Sequence, residues 1–221
     1  MEKFALIMAG GSGRRMNRDI PKQFEMLHGK PVLMHTFQAF LKSDPNIHFV
    51  LVLPETQFDF WKTLCAKYNF NIKHELAKGG ETRFHSVKNG LELVPNDSIV
   101  FIHDGVRPLV SALTIQNCYQ TTLRKGNALP VIPVTESIRK VENEENFSVD
   151  RTKYFLVQTP QTFQAEKIKT AYKKSETTNF TDDSSVLESA GEKIYLVEGN
   201  HENIKITYPQ DLIIASALLK N

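Results

Sequence analysis

Short, continuous apolar runs alternate with amphipathic segments through the first 134 residues, and this alternation constrains the fold more than any other feature. The runs at 4–8, 49–53 and 99–102 are apolar at almost every position, which predicts strands buried on both faces. Strands of this kind between helices are typical of a doubly wound, mostly parallel α/β sheet. A weaker strand is predicted at 72–76 and another strand at 128–134, with helices at 31–42, 57–67, 82–93 and from a cap at Ser111 to about Leu123.

The pattern changes after residue 134. Residues 137–155, which we call the arm, are charged and β-branched around a turn-rich centre and have little apolar content. They predict a β-hairpin that projects from the domain. Beyond the arm we predict helices at 166–174, after a cap at Thr181 and at 209–219, and strands at 194–197 and 203–207. We find no repeat and no linker composition, so we expect one domain, 1–221.

The composition narrows the class of protein. Hydrophobic residues make up 41% and charged residues 24% of the chain, as in an ordinary globular protein. The formal charge is +2, much less basic than a general nucleic-acid binder needs. Cys65 and Cys118 fit no metal or redox spacing, and no apolar run approaches the ~20 residues that span a bilayer. We expect a cytoplasmic protein with reduced core thiols and no nucleic-acid or membrane partner.

A glycine-rich loop, MAGGSGRRM at 8–16, directly follows the first predicted strand. In a doubly wound sheet such a loop lies at the carboxyl end of a strand, where ligands bind, and glycines let backbone N–H groups approach phosphate oxygens. Met16 replaces the last glycine of a dinucleotide motif, which weakens a dehydrogenase reading, and no Walker lysine follows. Four cations close to the loop are either a solvated surface or, more in keeping with the glycines, a polyphosphate clamp. They are Arg14, Arg15, Arg18 and Lys22.

Two further polar motifs follow predicted strands. The sequence KGGETRFHS at 78–86 is either an ordinary turn into a helix or a second approach site for a ligand. The sequence HDGVRP at 103–108 places Asp104 where a carboxylate could serve a metal or a substrate hydroxyl, or only cap a turn. Weaker candidates are Arg151 on the arm and Lys205 in a short strand. The sequence contains no motif for a catalytic nucleophile and its base.

Taken in order and spacing, these motifs resemble those of the cytidylyltransferases that activate polyol phosphates. The resemblance covers nearly the whole chain, from 9–16 through PKQ at 21–23 to KIT at 205–207. It implies a Rossmann-like sheet of the nucleotide-diphospho-sugar transferase type, and transfer of CMP from CTP to a polyol phosphate with release of pyrophosphate. It also implies Mg²⁺ bound with CTP, and a homodimer joined through the arm.

The resemblance assigns a role to each matching position. Arg15 and Lys22 would stabilise the α-phosphate during attack. Asp104 would also serve the metal, directly or through water. Glu81 departs from the aspartate of many members, and Ser137 stands where threonine is common. The implied nucleotide-binding residues are Ala9, Gly10, Gly11, Gly13, Gly80, Glu81 and Ser86, and the implied substrate-positioning residues are Arg151, Lys205, Asp104, Arg107, Thr159 and Ser137.

Two branches of this family differ mainly in the arm and the stretch after it. Residues 149–151 and 181–188 resemble the branch that uses methylerythritol 4-phosphate in non-mevalonate isoprenoid synthesis, and ribitol 5-phosphate is the alternative acceptor. A non-catalytic nucleotide-binding module is the alternative from another class. Such a module would be expected to lose Arg15, Lys22 or Asp104, and all three are present.

Overall fold

A mixed central sheet organises the chain in the computed structural model, which describes residues 1–11 and 20–219. The strands are β1 Lys3–Met8, β2 Met26–Leu27, β3 Lys30–Pro31, β4 His48–Leu53, β5 Glu75–Lys78, β6 Ile99–Asp104, β7 Asn127–Pro133, β8 Arg139–Glu142, β9 Glu145–Ser148, β10 Phe155–Val157, β11 Gln161–Gln164 and β12 Leu196–Glu198. The helices are α1 Val32–Ser43, α2 Phe58–Lys67, α3 Arg83–Leu91, α4 Ala112–Lys125, α5 Ala165–Lys174, α6 Asp183–Ser189 and α7 Pro209–Leu218. Short 3₁₀ turns include Lys22–Phe24 and Arg151–Lys153.

The first half of the sheet is parallel, in the order β5-β4-β1-β6. Met8 lies opposite both Val52 of β4 and Asp104 of β6, so these three strands reach the same edge together. Leu53 pairs with Lys78 at the end of β5. The loops that leave all four strands therefore start along one edge of the sheet, as the doubly wound prediction requires.

Helices cover both faces of these strands. Along β1, Ala5 and Ile7 face the core beneath α1, α2 and α4, whereas Leu6 and Met8 face the core beneath α3, α5 and α6. All four side chains are buried, because alternate residues of a strand point to opposite faces. The continuous apolar runs in the sequence thus correspond to strands covered on both sides, and the predicted doubly wound α/β fold is confirmed.

In the second half of the sheet, two strands that were not predicted, β10 and β11, run antiparallel to their neighbours, whereas β12 pairs parallel with β7. β11 lies between β6 and β7 and runs antiparallel to both, and β10 pairs antiparallel with β7. β11 has the sequence QTFQ, yet Gln161, Thr162 and Phe163 are all buried. The polar side chains are hidden because Gln161 Oε1 accepts hydrogen bonds from the first turn of α6. Composition alone cannot reveal such a partner.

Three predicted elements differ in detail. β5 begins at Glu75 and not at residue 72, because its pairing with β4 starts only at Glu75. The cap of α6 is Asp182 and not Thr181, because the Asp182 carboxylate accepts the Ser185 N–H at 2.9 Å. Residues 203–207 form no strand: the Ile206 N–H donates to the Val106 carbonyl at 3.0 Å, but β6 has already ended at Asp104 and offers no ladder to continue.

The arm contains the predicted hairpin, formed by β8 and β9. Every residue of both strands is exposed. Its few apolar side chains are exposed as well, with Val141 at 70% and Phe147 at 48%. In β10, which begins at the last residue of the arm, the Leu156 side chain is also exposed, at 54%. The hairpin therefore has no hydrophobic core of its own.

The two cysteines carry free thiols, as predicted from their spacing. Cys118 is buried, and burial raises the pKa of its thiol to about 12. Cys65 is half-buried, and burial raises its pKa to about 11. Both thiols are therefore poorly reactive at neutral pH. Of the helices in residues 1–11 and 20–219, none has the length and apolar character needed to cross a bilayer.

Gly90 tests the packing of α3 on the sheet. A methyl group at Gly90 would come within 2.4 Å of Leu6 Cδ1 and 2.7 Å of Val52 Cγ2. The gain in helix propensity, about 1 kcal/mol, should not offset the overpacking, which costs about 1–3 kcal/mol. We expect Gly90→Ala to lower the free energy of unfolding, measured by urea denaturation. The exposed neighbour Lys88→Ala should change it by less than about 0.5 kcal/mol, and a Gly90→Ala protein at least as stable as the parent would contradict this packing.

Candidate active site

A cleft lies at the carboxyl edge of the parallel strands. The walls come from different parts of the chain: residues 9–11 of the glycine loop after β1, the 3₁₀ turn Lys22–Phe24, the 79–86 loop that runs from β5 into the first turn of α3, the turn after β6, and the segment before α7. The lining residues are Met8, Ala9, Gly10, Gly11, Lys22, Gln23, Gly80, Glu81, Thr82, Arg83, Ser86, Asp104, Val106 and Lys205. A larger groove of about 660 Å³ between α5 and α6 contains none of the predicted site residues.

The glycine loop and the 79–86 loop meet across this cleft. A side-chain carbon at Gly10 would lie 3.7 Å from Ser86 Oγ. Ser86 Oγ accepts the Gly80 N–H and donates to the Thr82 carbonyl, both at 2.9 Å, so one hydroxyl closes the loop on itself. A Cβ at Gly80 would lie only 2.4 Å from His85 Cβ. The backbone can approach this closely only with glycine at position 80.

The 3₁₀ turn Lys22–Phe24 brings a lysine to the opposite wall. Gln23 is buried and donates from Nε2 to the Ala9 carbonyl at 2.9 Å, which ties this turn to the glycine loop. A side-chain carbon at Gly11 would lie 3.8 Å from Lys22 Cε. Lys22 therefore extends beside the backbone of the glycine loop, where the phosphates of a nucleotide would lie.

Asp104 is the buried carboxylate of the cleft, whereas Glu81 is exposed. Its Oδ2 atom lies 3.1 Å from Lys205 Nζ and 3.1 Å from Arg107 Nε. Burial favours the neutral acid, but the charges of Lys205, Arg107 and Arg83 outweigh it and hold the pKa of Asp104 far below its ordinary value. The site thus has an ionised carboxylate beside a cation that is itself partly exposed to the cleft.

A chain of hydrogen bonds behind the cleft fixes the position of Asp104. The Asp104 N–H donates to Thr159 Oγ1 at 3.1 Å, and Thr159 Oγ1 lies 3.0 Å from His103 Nδ1. His103 Nε2 lies 3.0 Å from the Arg107 carbonyl, so it must carry the proton and Nδ1 must accept from Thr159. Burial lowers the pKa of His103 to about 4, which keeps this tautomer neutral.

The structure brings most of the predicted residues together. Arg107 and Thr159 do not line the cleft but lie behind it, where they hold Asp104 and its strand. Ser137 and Arg151 are exposed on the arm, and Arg151 Nη1 donates to the Thr135 carbonyl. Gly13 and Arg15, with Arg14 and Arg18, lie outside the described residues. The predicted residues that line the cleft are Ala9, Gly10, Gly11, Lys22, Gly80, Glu81, Ser86, Asp104 and Lys205.

Five described residues of the cleft were not predicted as site residues, namely Met8, Gln23, Thr82, Arg83 and Val106, and two of them, Gln23 and Arg83, hold loops of the cleft in place. Arg83 lines it and was part of the 78–86 motif, but received no role of its own. Gln23 joins two loops, and the sequence signal for it was only its place beside Lys22. In both cases the residue type gave no hint, because its partners, Asp183 and the Ala9 carbonyl, are distant in sequence.

The described residues suit a metal ion that is bound together with a nucleotide, and they do not form a binding site for a resident metal ion. Within residues 1–11 and 20–219, no three carboxylate, imidazole or thiol side chains converge as the ligands of a resident metal would. Mg²⁺ bound with substrate phosphates needs only one or two protein carboxylates, and keeps several waters. Asp104, ionised at the cleft wall, is suited to that role.

A doubly wound sheet with a glycine loop, cleft lysines and an ionised carboxylate at its carboxyl edge defines a nucleotide-binding transferase. The sequence model of the family described as IspD, 2-C-methyl-D-erythritol 4-phosphate cytidylyltransferase, matches residues 4–221. The chain therefore belongs to this family, and it is a cytidylyltransferase of the EC 2.7.7 class.

Individual relatives agree with this assignment along the whole chain. The chain is 51% identical over 219 residues to a 2-C-methyl-D-erythritol 4-phosphate cytidylyltransferase of Bacteroides thetaiotaomicron, covering 99% of this chain and 100% of the relative. The relative of the same description from Clostridium acetobutylicum is 39% identical, with 98% and 96% covered. The solved 4-diphosphocytidyl-2C-methyl-D-erythritol synthase of Anaerococcus prevotii superposes with a TM-score of 0.84 at 27% identity, with 100% and 99% covered.

The buried imidazole of His103 should make stability depend on pH. The folded protein keeps His103 neutral down to pH about 4, whereas an unfolded chain binds the proton near the ordinary pKa of 6.5. The stabilising contribution is complete above pH 6.5 and is lost as the pH falls towards 4. Between pH 7 and pH 5 the loss is about 2 kcal/mol.

Urea denaturation at both pH values measures this loss. The His103→Gln protein should lose about 2 kcal/mol less than the parent between pH 7 and pH 5. The variant of an exposed histidine, His201→Gln, should keep the parent's pH dependence. Equal losses in the parent and in His103→Gln would mean that His103 is protonated in the folded state.

Proposed function

We propose that the chain catalyses transfer of CMP from CTP to 2-C-methyl-D-erythritol 4-phosphate within this cleft. An oxygen of the acceptor phosphate attacks the α-phosphorus of CTP, the bond from that phosphorus to the bridging oxygen breaks, and pyrophosphate leaves. The products are 4-diphosphocytidyl-2-C-methyl-D-erythritol and pyrophosphate, in the non-mevalonate route to isoprenoids. The observation that carries the proposal is the convergence of Lys22, the 79–86 loop and the Asp104–Lys205 pair on one cleft.

The cation of Lys22 serves the reacting phosphate. Its turn is held against the glycine loop by Gln23, so the backbone that carries the lysine is fixed before the nucleotide binds. Charge on the α-phosphoryl oxygens is stabilised by such preorganised cations, and losing one contact of this kind costs about 3–4 kcal/mol of barrier. Arg15, outside the described residues, is assigned to the same phosphate.

The 79–86 loop and the glycine loop bind the nucleotide. Gly80 and Ser86 present a closed, hydrogen-bonded turn, and Glu81 stands exposed at its tip. Backbone groups fixed in this way can form hydrogen bonds with the edge of a base, and binding then costs little conformational entropy. Ala9, Gly10 and Gly11, with Gly13 outside the described residues, offer backbone groups to the phosphates.

The acceptor lies on the side of Lys205. The Lys205 side chain is 42% exposed and its ammonium group is held by Asp104, so it can attract the acceptor phosphate without swinging away. Thr159 and Arg107 act behind Asp104 by holding its backbone and its carboxylate. Mg²⁺, when bound with CTP, would be held by Asp104 directly or through water, and it supplies neutralisation of phosphate charge.

We propose further that 1–221 is one domain and that its arm joins two copies into a homodimer with shared sites. Arg151 on the arm is bonded to the Thr135 carbonyl and lies outside the cleft of its own chain, which supports a role in a second chain. The arm also exposes Val141 and Phe147 without a core of its own. A two-fold partner could cover these side chains and place Arg151 and Ser137 beside the partner's acceptor site.

A pyrophosphate-release panel tests the reaction. The purified protein with Mg²⁺ should release pyrophosphate with CTP and 2-C-methyl-D-erythritol 4-phosphate, and much less with ATP, GTP or UTP. Lys22→Ala should lower kcat by at least a hundredfold and weaken CTP binding far less, because its charge acts mainly in the transition state. Lys167→Ala, which changes a surface lysine paired with Glu192, is the matched control and should leave kcat unchanged. A preference for ribitol 5-phosphate, or binding of CTP without turnover, would refute the proposal.

Complementation tests the shared site. Arg151→Ala and Lys22→Ala homodimers should each be nearly inactive, whereas a mixed dimer has one intact site and one doubly altered site. With random pairing about half of the dimers are mixed, so activity should recover to about a quarter of the parent's. If subunit exchange is confirmed by mass and no activity returns, both residues serve the same chain and the shared site is wrong.

A further inference from the structure

A buried polar network lies beneath the nucleotide side of the cleft. The Asp183 carboxylate accepts two hydrogen bonds from the Arg83 guanidinium, at 2.8 and 2.5 Å, and a third from the Tyr172 hydroxyl at 2.6 Å. The Asp183 side chain is completely buried, and Tyr172 is 2% exposed. Arg83 differs from both, because its side chain remains 33% exposed and lines the cleft.

Stability alone is a weak reason for such a network. Removing a carboxylate from water costs several kcal/mol, and apolar side chains of similar volume often stabilise a core at least as well as a buried ion pair. This pair also has one end in the candidate active site. A role in the site itself accounts for the pair better than stability does.

The network connects the central sheet to the 79–86 loop. Gln161 of β11 accepts the N–H groups of Asp183 and Ser184 at 2.9 and 2.8 Å, which fixes the start of α6. Asp183 then holds Arg83, which is the first residue of α3, next to the helix cap Thr82. The contacts thus lead from β11 to the start of α6, from α6 through Asp183 to Arg83, and from Arg83 to the 79–86 loop, which Ser86 closes.

The acceptor side of the cleft depends on different contacts. Asp104 is held from behind by Thr159 and His103, and its partner Lys205 lies in the segment before α7. None of the hydrogen bonds of Asp183 involves these residues. A disturbance at Asp183 should therefore reach the nucleotide side first.

We infer that Asp183, supported by Tyr172, is a positioning residue that holds Arg83 and thereby keeps the 79–86 loop in the geometry that binds CTP. The inference rests on the proposed function, because it takes that loop as the nucleotide side of the cleft. Asp183 touches neither substrate. It sets the affinity for the nucleotide through the direction of the Arg83 guanidinium and the position of the first turn of α3.

Substitution of Asp183 and Tyr172 tests the inference. Asp183→Asn keeps the shape but removes the charge that fixes Arg83, so the KM and the Kd for CTP should rise about tenfold or more, which equals about 1.4 kcal/mol. The KM for the acceptor should stay within about twofold, because its contacts are separate. Tyr172→Phe, which keeps the ring packed on Phe84, should show the same selectivity with a smaller rise. It serves as the test if Asp183→Asn does not fold.

A matched control separates positioning from lost stability. Asn127 of β7 is buried and holds the Lys193 carbonyl and the Tyr195 N–H, so its side-chain hydrogen bonds do not involve Asp183, Arg83 or Tyr172. Asn127→Ala should lower Tm by an amount comparable to Asp183→Asn, and leave both KM values unchanged. In a double-mutant cycle, Arg83→Met should remove most of the effect of Asp183→Asn on CTP affinity, because one residue acts through the other.

The outcomes distinguish this inference from the proposed function. Direct titration of CTP gives the Kd without turnover, so the inference is tested even if the parent releases no pyrophosphate. An active parent and a folded Asp183→Asn protein with unchanged CTP affinity would overturn the inference and leave the proposed function standing. Equal rises in both KM values, or effects of Asp183→Asn and Arg83→Met that simply add, would overturn it as well.

Discussion

The parallel register of β1 between β4 and β6 is the constraint on which the site depends. Met8 lies opposite both Val52 and Asp104, so the strands end together and their loops leave from one edge. A shift of one residue would turn the buried side chains of β1 to the wrong face, and both apolar cores oppose it. The energy of packing thus fixes where the glycine loop and Asp104 stand relative to each other, before any ligand contributes.

Two buried carboxylates position the cations of the cleft relative to this sheet. Asp104 is held by Lys205 and Arg107 at one wall of the cleft, and Asp183 is held by Arg83 and Tyr172 beneath the 79–86 loop. A buried charge that loses its partner is costly, so each pair holds its cation in one direction. Cations fixed in this way need little reorganisation when phosphate charge develops. The described contacts agree with an enzyme that works by positioning and by electrostatics.

Sequence periodicity predicted the first half of the fold well and the second half less well. The strands that become β1, β4 and β6 are buried on both faces, so each reads as a continuous apolar run. β11 is equally buried but has the sequence QTFQ, and the Gln161 side chain finds its partners in Asp182 and the first turn of α6, about twenty positions away. At residues 203–207 the error is the opposite one: the β-branched pattern predicted a strand, but no neighbouring strand is available there to pair with.

The sequence by itself determined the strand and helix alternation, the motifs and the family to which they point. These depend on local periodicity and on residue types at fixed spacing, which a chain displays without folding. Only the tertiary structure decided which motif residues reach the cleft and which, like Thr159 and Arg107, work from behind it. It also gave Arg83 its buried partner, Asp183, one hundred residues away. Such pairings depend on where strands end and helices pack, and no local pattern contains that information.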